Sequence, residues 1–195
     1  MADAPLLLIH GGLGEPMDAQ RFWVGPGIVD DLEHAGFRVA APDRSTSPDS
    51  WSAAAAEMAA HLDEPAVVVA ASNGCSVGLR LALDHPSSVR HLLLLWPATG
   101  DDPRIDTHLP DEVRHLCSST TIRGVDDIEL STLDCAVVVM SSKPENPVHQ
   151  RRTVDRLLEL MTHAVELSPG CPEPPNPAFA PQREEFIQRL LPHLR

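Results

Sequence analysis

The sequence predicts an α/β fold, with a mostly parallel sheet of about six strands and helices on both of its faces. Three observations predict it. Short, continuous apolar runs alternate with segments of helical period along the chain, and such runs suit strands that are buried on both faces. The length of 195 residues corresponds to about one domain. A hydrophobic content of 43% with 22% charged residues is enough to bury one core.

Each predicted strand is an apolar run bounded by polar or turn-forming residues. The runs are Leu6–His10, Phe37–Ala41, Ala66–Ala71, Val89–Trp96, Ala136–Met140 and the short Ala164–Leu167. Helices are predicted between and after them, over Gln20–Ala35, Ser52–Leu62, Gly74–His85, Gln150–Met161 and Gln182–Leu194. This alternation of strand and helix is typical of a parallel sheet covered on both faces.

Two segments interrupt the alternation. Pro97–Leu133 is too long for a connecting loop, and we expect short helices in it near Pro110–Ser118 and Val125–Leu130. Because it follows a strand, it should lie at the edge of the sheet where ligands of open α/β sheets bind. Pro169–Pro181 contains six prolines and is predicted to be a stiff surface loop. We therefore expect one domain over residues 1–195, with 97–133 as a small cap insertion.

Charge and composition exclude several classes of function. A formal net charge of −13 argues against binding nucleic acid or an anionic membrane surface. No apolar run approaches the ~20 residues of a membrane span, and the N-terminus lacks the basic and apolar regions of a signal peptide, so we expect a cytoplasmic protein. The four cysteines are far apart without a C-x-x-C pair, which favours free buried thiols over a disulfide or a zinc site.

A short motif at the end of the third strand indicates nucleophilic chemistry. The strand runs directly into a predicted helix, and the small residues Ala70 and Gly74 stand two positions before and after Ser72. This spacing is typical of a nucleophile elbow, in which a tight strand–helix turn projects the serine hydroxyl over the sheet. The alternative is an ordinary turn in which Ser72 caps the helix.

A second motif follows the first strand, where the chain reads His10-Gly11-Gly12-Leu13-Gly14. The glycine pair would let the backbone N–H of Gly12 turn inward, and together with the N–H of Asn73 it would form a two-donor oxyanion hole. His10 is expected to order this loop rather than to act as a base. The alternative is a glycine turn without chemistry.

The two motifs, in this order, resemble those of the α/β-hydrolase superfamily, and the resemblance covers almost the whole chain. Residues 6–12 are similar to the oxyanion loop of the family, 68–74 to its elbow, and 137–148 to the strand and loop that usually carry the catalytic acid. The insertion 97–133 stands where the family inserts its cap. We expect the antiparallel strands at one edge of the family sheet to be missing. The resemblance implies a serine hydrolase with Ser72 as its nucleophile.

The acid and the histidine of the family are not at their usual positions. The acid normally precedes Pro-Val, where this chain has Asn146 with Glu145 beside it. An asparagine can orient an imidazole but cannot stabilise an imidazolium as an anion does. The loop after the last strand, which normally carries the histidine, contains Glu173 and no histidine.

His149 is the remaining candidate base, since a serine nucleophile needs a base within hydrogen-bond reach. One hypothesis is that acid and base have exchanged loops, with Ser72 as the nucleophile, His149 as the base, and Glu173 or Glu145 orienting the imidazole. Two alternatives stay open. His149 could instead bond the backbone at the start of its helix, or the fold could be inherited without a working triad.

Two further residues are candidates for substrate binding. Arg151 follows His149 closely and could clamp a carboxylate or phosphate, with a solvated helix face as the alternative. Trp96 ends the fourth strand and could either line an apolar pocket or belong to the core.

The leading interpretation is a serine hydrolase that acts on a small ester, thioester or lactone. The alternatives are a catalytically degenerate protein that binds a small acid or carbonyl compound in the same pocket, and an interaction module that contacts a protein partner through its proline-rich loop. We expect a small-molecule substrate and no cofactor or metal. Dinucleotide binding is disfavoured because no G-x-G-x-x-G follows a strand. The sequence does not indicate an oligomeric state.

Overall fold

The computed structural model of the protein describes residues 4–195. Within them, six parallel strands form one sheet, which confirms the predicted fold class. The strands are β1 (Leu6–Ile9), β2 (Val39–Ala40), β3 (Ala66–Ala71), β4 (Val89–Leu95), β5 (Ala136–Met140) and β6 (Val165–Glu166). Their order across the sheet is β2-β1-β3-β4-β5-β6. The chain adds β2 on one side of β1 and then β3 to β6 on the other, so the strand order reverses between β1 and β3. Ligands of open α/β sheets bind at such a reversal point.

Seven α-helices are present in the described residues. They are α1 (Ile28–His34), α2 (Trp51–Ala59), α3 (Gly74–Asp84), α4 (Pro103–Asp106), α5 (Asp127–Ser131), α6 (Arg151–Leu160) and α7 (Arg183–Leu190). A π-helical turn over Gln20–Val24 precedes α1 and is closed by a hydrogen bond from Gly25 N–H to Gln20 O. The single helix predicted over Gln20–Ala35 is thus two segments, because Gly25-Pro26-Gly27 separates them and Gly27 takes a φ of 83°.

Alternating side chains of the central strands fill two apolar layers. Leu7 and Ile9 of β1 pack with α2, α3 and α6 on one face, whereas Leu6 and Leu8 pack with α1 and α7 on the other. All four leucine and isoleucine side chains are fully buried. Burial on both faces explains why the strands are continuous apolar runs rather than alternating ones.

The carboxyl ends of the central strands are level with one another. Ile9 pairs with Ala70, the next residue Ala71 pairs with Leu95, and Leu95 pairs with Met140. The loops that follow β1, β3, β4 and β5 consequently leave the sheet at the same edge.

The insertion 97–133 contains three short helical segments instead of the two predicted. A 3₁₀ segment over Asp111–Cys117 and α5 lie near the predicted positions, and α4 is additional. A helix of four residues, such as α4, is too short to show a helical period in the sequence. Its start does carry a local signal, since Asp102 accepts the N–H of Arg104 as an N-cap and Pro103 begins the helix. No helix within residues 4–195 has the length and apolar character needed to cross a bilayer. The cysteines are free thiols, of which Cys75 and Cys171 are buried and the others half-buried.

Candidate active site

Ser72 stands at the sharp turn between β3 and α3. Its φ of 53° lies in the left-handed region, which is uncommon for a residue other than glycine. The turn also needs small neighbours. A Cβ on Gly74 would lie 2.5 Å from the carbonyl oxygen of His10, and one on Gly11 would lie 2.9 Å from the Cβ of Ser72. The strained backbone and the close approach of strand and helix are the geometry of a nucleophile elbow.

A serine hydroxyl, an imidazole and a carboxylate form a continuous chain at this turn. Ser72 Oγ lies 2.9 Å from His149 Nε2, and His149 Nδ1 lies 3.2 Å from Glu173 Oε1. Ser72 and His149 are both buried. His149 is in the loop after β5 and Glu173 in the loop after β6, so the structure brings together the two loops of the exchange hypothesis.

Two other donors hold the Glu173 carboxylate. Ser142 Oγ donates to its Oε2 at 3.0 Å, and Asn146 Nδ2 donates to its Oε1 at 3.3 Å. Burial raises the pKa of Glu173, but the hydrogen bond and the charge of His149, together with the hydrogen bond from Ser142, outweigh burial and hold the pKa below the usual glutamate value. The group beside the imidazole is therefore a carboxylate anion at neutral pH.

Asn146, at the usual position of the acid, serves a different purpose. Its Oδ1 accepts the N–H groups of Val148 and His149, both at 3.0 Å, and so closes the turn that presents the imidazole. Its Nδ2 lies 3.1 Å from His149 Nδ1. When His149 Nδ1 carries its proton, Asn146 Nδ2 and His149 Nδ1 are both donors and cannot bond to each other. Both instead face the same acceptor, Glu173 Oε1.

Backbone contacts join the loops that carry Glu173 and His149. Ser142 and Cys171 form an isolated parallel bridge beyond the ends of β5 and β6, and Lys143 N–H donates to Cys171 O at 3.1 Å. Gly170 packs directly on Ser141, where any Cβ would collide with the carbonyl oxygen. This extension of the sheet by one bridge carries Glu173 to the imidazole.

The foot of the cap insertion contacts the residues on either side of His149. Thr99 N–H donates to Val148 O at 2.7 Å, and Thr99 Oγ1 accepts the N–H of Gln150 at 3.0 Å. Thr153 Oγ1 of α6 also donates to Thr99 Oγ1 at 2.9 Å. One threonine therefore ties the cap to the histidine loop.

The loop after β1 is held by a buried arginine. The guanidinium of Arg44 donates to three consecutive carbonyl oxygens, those of His10 at 2.9 Å, Gly11 at 2.9 Å and Gly12 at 2.7 Å. Gly12 has a φ of 92°, and a Cβ there would lie 2.7 Å from the Cβ of Met17. Glycine is thus required at this position for both conformation and space.

His10 orders the same loop, as the sequence predicts. Its Nε2 accepts the backbone N–H of Arg44 at 3.2 Å, and its Nδ1 lies 2.8 Å from Gly11 O. Burial, and then the charge of Arg44, lower the pKa of His10. The imidazole is accordingly neutral and accepts one hydrogen bond while donating another.

A cleft of about 520 Å³ opens over Ser72. Asn73, His149 and Glu173 are among its polar lining residues. The apolar part of its wall is formed by Leu13, Ile105, Leu109, Pro110 and Val148. Three of these apolar residues, Ile105, Leu109 and Pro110, belong to the insertion 97–133, which thus forms part of the cleft wall.

Two predicted site residues lie on the surface. Glu145 is exposed. Of the two glutamates proposed to orient the imidazole, Glu173 is the one beside it. Arg151 pairs with Glu166 and with Asp155 at 2.8 Å along the exposed side of α6. The prediction that Arg151 binds substrate is therefore wrong, since its guanidinium is occupied outside the cleft.

Trp96 belongs to the core and does not line the cleft. Its ring stacks on Phe186 at a centroid distance of 5.6 Å, and its Nε1 donates to Cys171 O at 2.7 Å. Side-chain alternation would place it in the apolar layer of Leu94, but its φ of 51° puts it in the layer of Leu95. The pocket interpretation of Trp96 is wrong for this reason.

Sequence reasoning missed two buried arginines, Arg44 and Arg123. Arginine in a polar loop is normally exposed. Neither is marked by periodicity or by a motif, so no local signal identifies them.

No protein-family model matches the chain, and no curated protein matches it. Solved structures do match. An esterase from Rhodococcus sp. ECU1013 is similar at 17% identity and a TM-score of 0.70, over 99% of this chain and 90% of the esterase. A meta-cleavage product hydrolase from Pseudomonas fluorescens IP01 has 16% identity and a TM-score of 0.73, over 98% and 90%. An enzyme that degrades N-acyl homoserine lactones has 16% identity and a TM-score of 0.67, over 98% and 93%. The parallel sheet, the elbow at Ser72 and this likeness along nearly the whole chain identify the protein as one of the α/β-hydrolase fold.

Proposed function

We propose that this protein is a serine hydrolase that cleaves a small ester, thioester or lactone through an acyl-enzyme on Ser72. One observation carries the proposal, the contact of Ser72 Oγ with His149 Nε2 at 2.9 Å, continued from Nδ1 to Glu173 at 3.2 Å. A serine hydroxyl becomes a competent nucleophile when an adjacent base removes its proton and a third group orients that base. The cleft above Ser72 supplies room for an acyl group.

In acylation, Ser72 Oγ attacks the carbonyl carbon of the substrate while its proton passes to His149 Nε2. Glu173 accepts the Nδ1–H hydrogen bond, which keeps the Nε2 lone pair facing Ser72 and stabilises the imidazolium. The carbonyl oxygen becomes an oxyanion, which the N–H groups of Gly12 and Asn73 bind. The intermediate then collapses, the C–O or C–S bond breaks, and the leaving alcohol or thiol takes the proton from Nε2.

Deacylation repeats these steps with water. His149 takes a proton from the water, whose oxygen attacks the acyl carbon. The second tetrahedral intermediate then collapses, the bond between the acyl carbon and Ser72 Oγ breaks, and the imidazolium of His149 gives the proton to Oγ as the carboxylic acid leaves. With a lactone, the acid and the alcohol are parts of one product molecule. The esterase and the lactone-degrading enzyme of the same fold support this substrate class by analogy.

The test is labelling with a fluorophosphonate probe, which reacts with an activated serine, together with hydrolysis of p-nitrophenyl acetate. We expect the wild type to be labelled and Ser72→Ala to be unlabelled and inactive, with a free energy of unfolding within about 1 kcal/mol of wild type. Ser76→Ala is a matched control in the same helix, because Ser76 Oγ is buried without a hydrogen-bond partner in the described residues. It should be labelled like the wild type.

Two outcomes would contradict the proposal. They are an unlabelled wild type, and turnover that persists in Ser72→Ala. The first result would favour the degenerate, ligand-binding alternative, and the second would show that hydrolysis does not use Ser72.

A further inference from the structure

A buried arginine of the cap insertion contacts the residue next to the proposed nucleophile. Arg123 is 1% exposed. Its Nη1 donates to Asn73 Oδ1 at 2.7 Å, and its Nη2 donates to Asp106 Oδ1 at 2.7 Å. Asp106 is the last residue of α4. One guanidinium thus connects the insertion 97–133 to the start of α3, at the lining of the cleft.

The side chain of Asn73 is diverted from its ordinary role. An asparagine at the N-cap of a helix usually accepts an N–H of that helix, but Asn73 makes no such bond to α3. Its oxygen is occupied by Arg123 instead. The Nε of Arg123 is buried without a hydrogen-bond partner among the residues that the structure describes. Capping of α3 therefore does not explain why Arg123 contacts Asn73, and the unpaired Nε is in itself unfavourable.

Arg123 is presented by a well-fixed segment. Ile122 forms an antiparallel bridge with Thr99, and Gly124, with a φ of 74°, donates its N–H to Ser118 O at 2.8 Å. A Cβ on Gly124 would collide with the ring of Trp51. The backbone on both sides of Arg123 is therefore held, which is what a group that orients another group requires.

We infer that Arg123 is a positioning residue, which fixes Asn73 so that the Asn73 N–H faces the oxyanion formed on the substrate. The inference rests on the proposed function, since it concerns the oxyanion hole of that reaction. In a nucleophile elbow, the N–H of the residue after the serine is one of the two oxyanion donors. Because Arg123 also bonds to Asp106 at the end of α4, the position of α4 helps to fix the Arg123 side chain.

The substrate carbonyl carries its full negative charge only in the tetrahedral intermediate. A misplaced Asn73 N–H should for that reason lower kcat and leave KM nearly unchanged. Arg123 lines the cleft but is 1% exposed, and its guanidinium is bonded to Asn73 and Asp106. In the proposed reaction it therefore acts through Asn73 rather than by binding a substrate carboxylate. A merely structural residue would change stability without this division between kcat and KM.

The test compares Arg123→Met with Arg80→Met in the hydrolysis of p-nitrophenyl acetate. Arg80 contacts the same segment through Gly124 O at 3.1 Å but has no bond to Asn73. We expect Arg123→Met to lower kcat by about 10- to 100-fold with KM within about twofold of wild type. A boronic acid, which binds serine as a tetrahedral adduct, should lose affinity by a comparable factor. Arg80→Met should keep kcat within about threefold of wild type.

A double-mutant cycle provides a second measurement if Arg123→Met folds poorly. Asn73→Ala keeps the backbone N–H but removes the oxygen that Arg123 holds, so it should lower kcat similarly, and the double variant should lose no more than the worse single variant. Multiplicative losses would overturn the inference, as would an unchanged kcat in Arg123→Met or in Asn73→Ala. A wild type without Ser72-dependent hydrolysis would remove the proposed function as well, whereas an active wild type with unaffected variants would remove only the role of Arg123.

Discussion

At the scale of single residues, contact between loops decides which carboxylate meets the imidazole. Glu145 is closer to His149 in the sequence but points into solvent, whereas Glu173 reaches His149 Nδ1 at 3.2 Å across a bridge between two loops. Its lowered pKa keeps it charged where the proposed reaction needs an anion. The two glutamates therefore offer the same chemical group in two environments.

Replacing each of them by glutamine tests the assignment. We expect Glu173→Gln to lower kcat for ester hydrolysis by about 10²- to 10⁴-fold, because an amide cannot stabilise the imidazolium. The same change in the exposed Glu145 should leave kcat within about twofold of wild type. Steady-state kinetics of the two purified variants decides the matter. Similar losses, or a larger loss in Glu145→Gln, would contradict the role given to Glu173.

The sequence predicts these residues to different degrees, for physical reasons. Ser72 has a local signal, since the turn that strains it also demands small neighbours at fixed spacing. His149 follows by elimination, because it is the histidine downstream of the elbow that lies at the carboxyl edge of the sheet. The choice between two glutamates depends on packing between loops, and the position of Trp96 depends on one φ angle. Arg44 and Arg123 bond to groups that are distant in sequence, which no local pattern records.

At the scale of elements, the central strands are the most predictable part. The bounds of β3 and β5 match the apolar runs, and each pairs along its whole length with β4, which lies between them. The edge strands β2 and β6 shrink to two residues each, since each has one pairing partner. Helix length is less predictable where glycine and proline intervene, as in the segment before α1.

The loop after β1 is an element whose stability comes from elsewhere in the chain. Three of its carbonyl oxygens are satisfied by Arg44, and burial lowers the pKa of Arg44 to about 10, which still leaves it charged at neutral pH. We therefore expect the loop after β1 to lose its conformation when this side chain is removed.

We expect Arg44→Met to lower the free energy of unfolding by about 3–5 kcal/mol, because buried carbonyls are left without donors. Arg38→Met is the control, since Arg38 forms an exposed ion pair with Glu64 at 2.6 Å and such pairs contribute less than about 1 kcal/mol. Urea denaturation measures both. An Arg44→Met variant as stable as Arg38→Met would show that the clamp does not stabilise the loop.

At the scale of the whole molecule, two groups make stability depend on pH in the same direction. Burial and the charge of Arg44 lower the pKa of His10. The unfolded chain then binds a proton that the folded protein does not, so stability falls as the pH falls below the ~6.5 of an ordinary histidine. The lowered pKa of Glu173 adds a contribution that is full above the usual carboxyl range and is lost as the pH falls through its lowered value.

His10→Gln isolates the first of these contributions, because glutamine can still accept the N–H of Arg44 but does not titrate. Between about pH 7.5 and about pH 5.5 we expect the wild type to lose more of its unfolding free energy than His10→Gln does. Urea midpoints at the two pH values provide the comparison. Equal losses in the two proteins would mean that His10 does not contribute to the acid sensitivity.

The bonds of Thr99 to the histidine loop have a consequence for chimera design. An exchange of caps that cut at residue 97 and residue 133 would discard the donor and acceptor that flank His149, along with Arg123. The transplantable unit is instead residues 101–121, whose boundaries leave Thr99 and its bridge partner Ile122 in the recipient. A foreign cap of that length would also have to bring a carboxylate to the position of Asp106. An exchange of this segment therefore depends on one acidic residue, Asp106, which does not line the cleft.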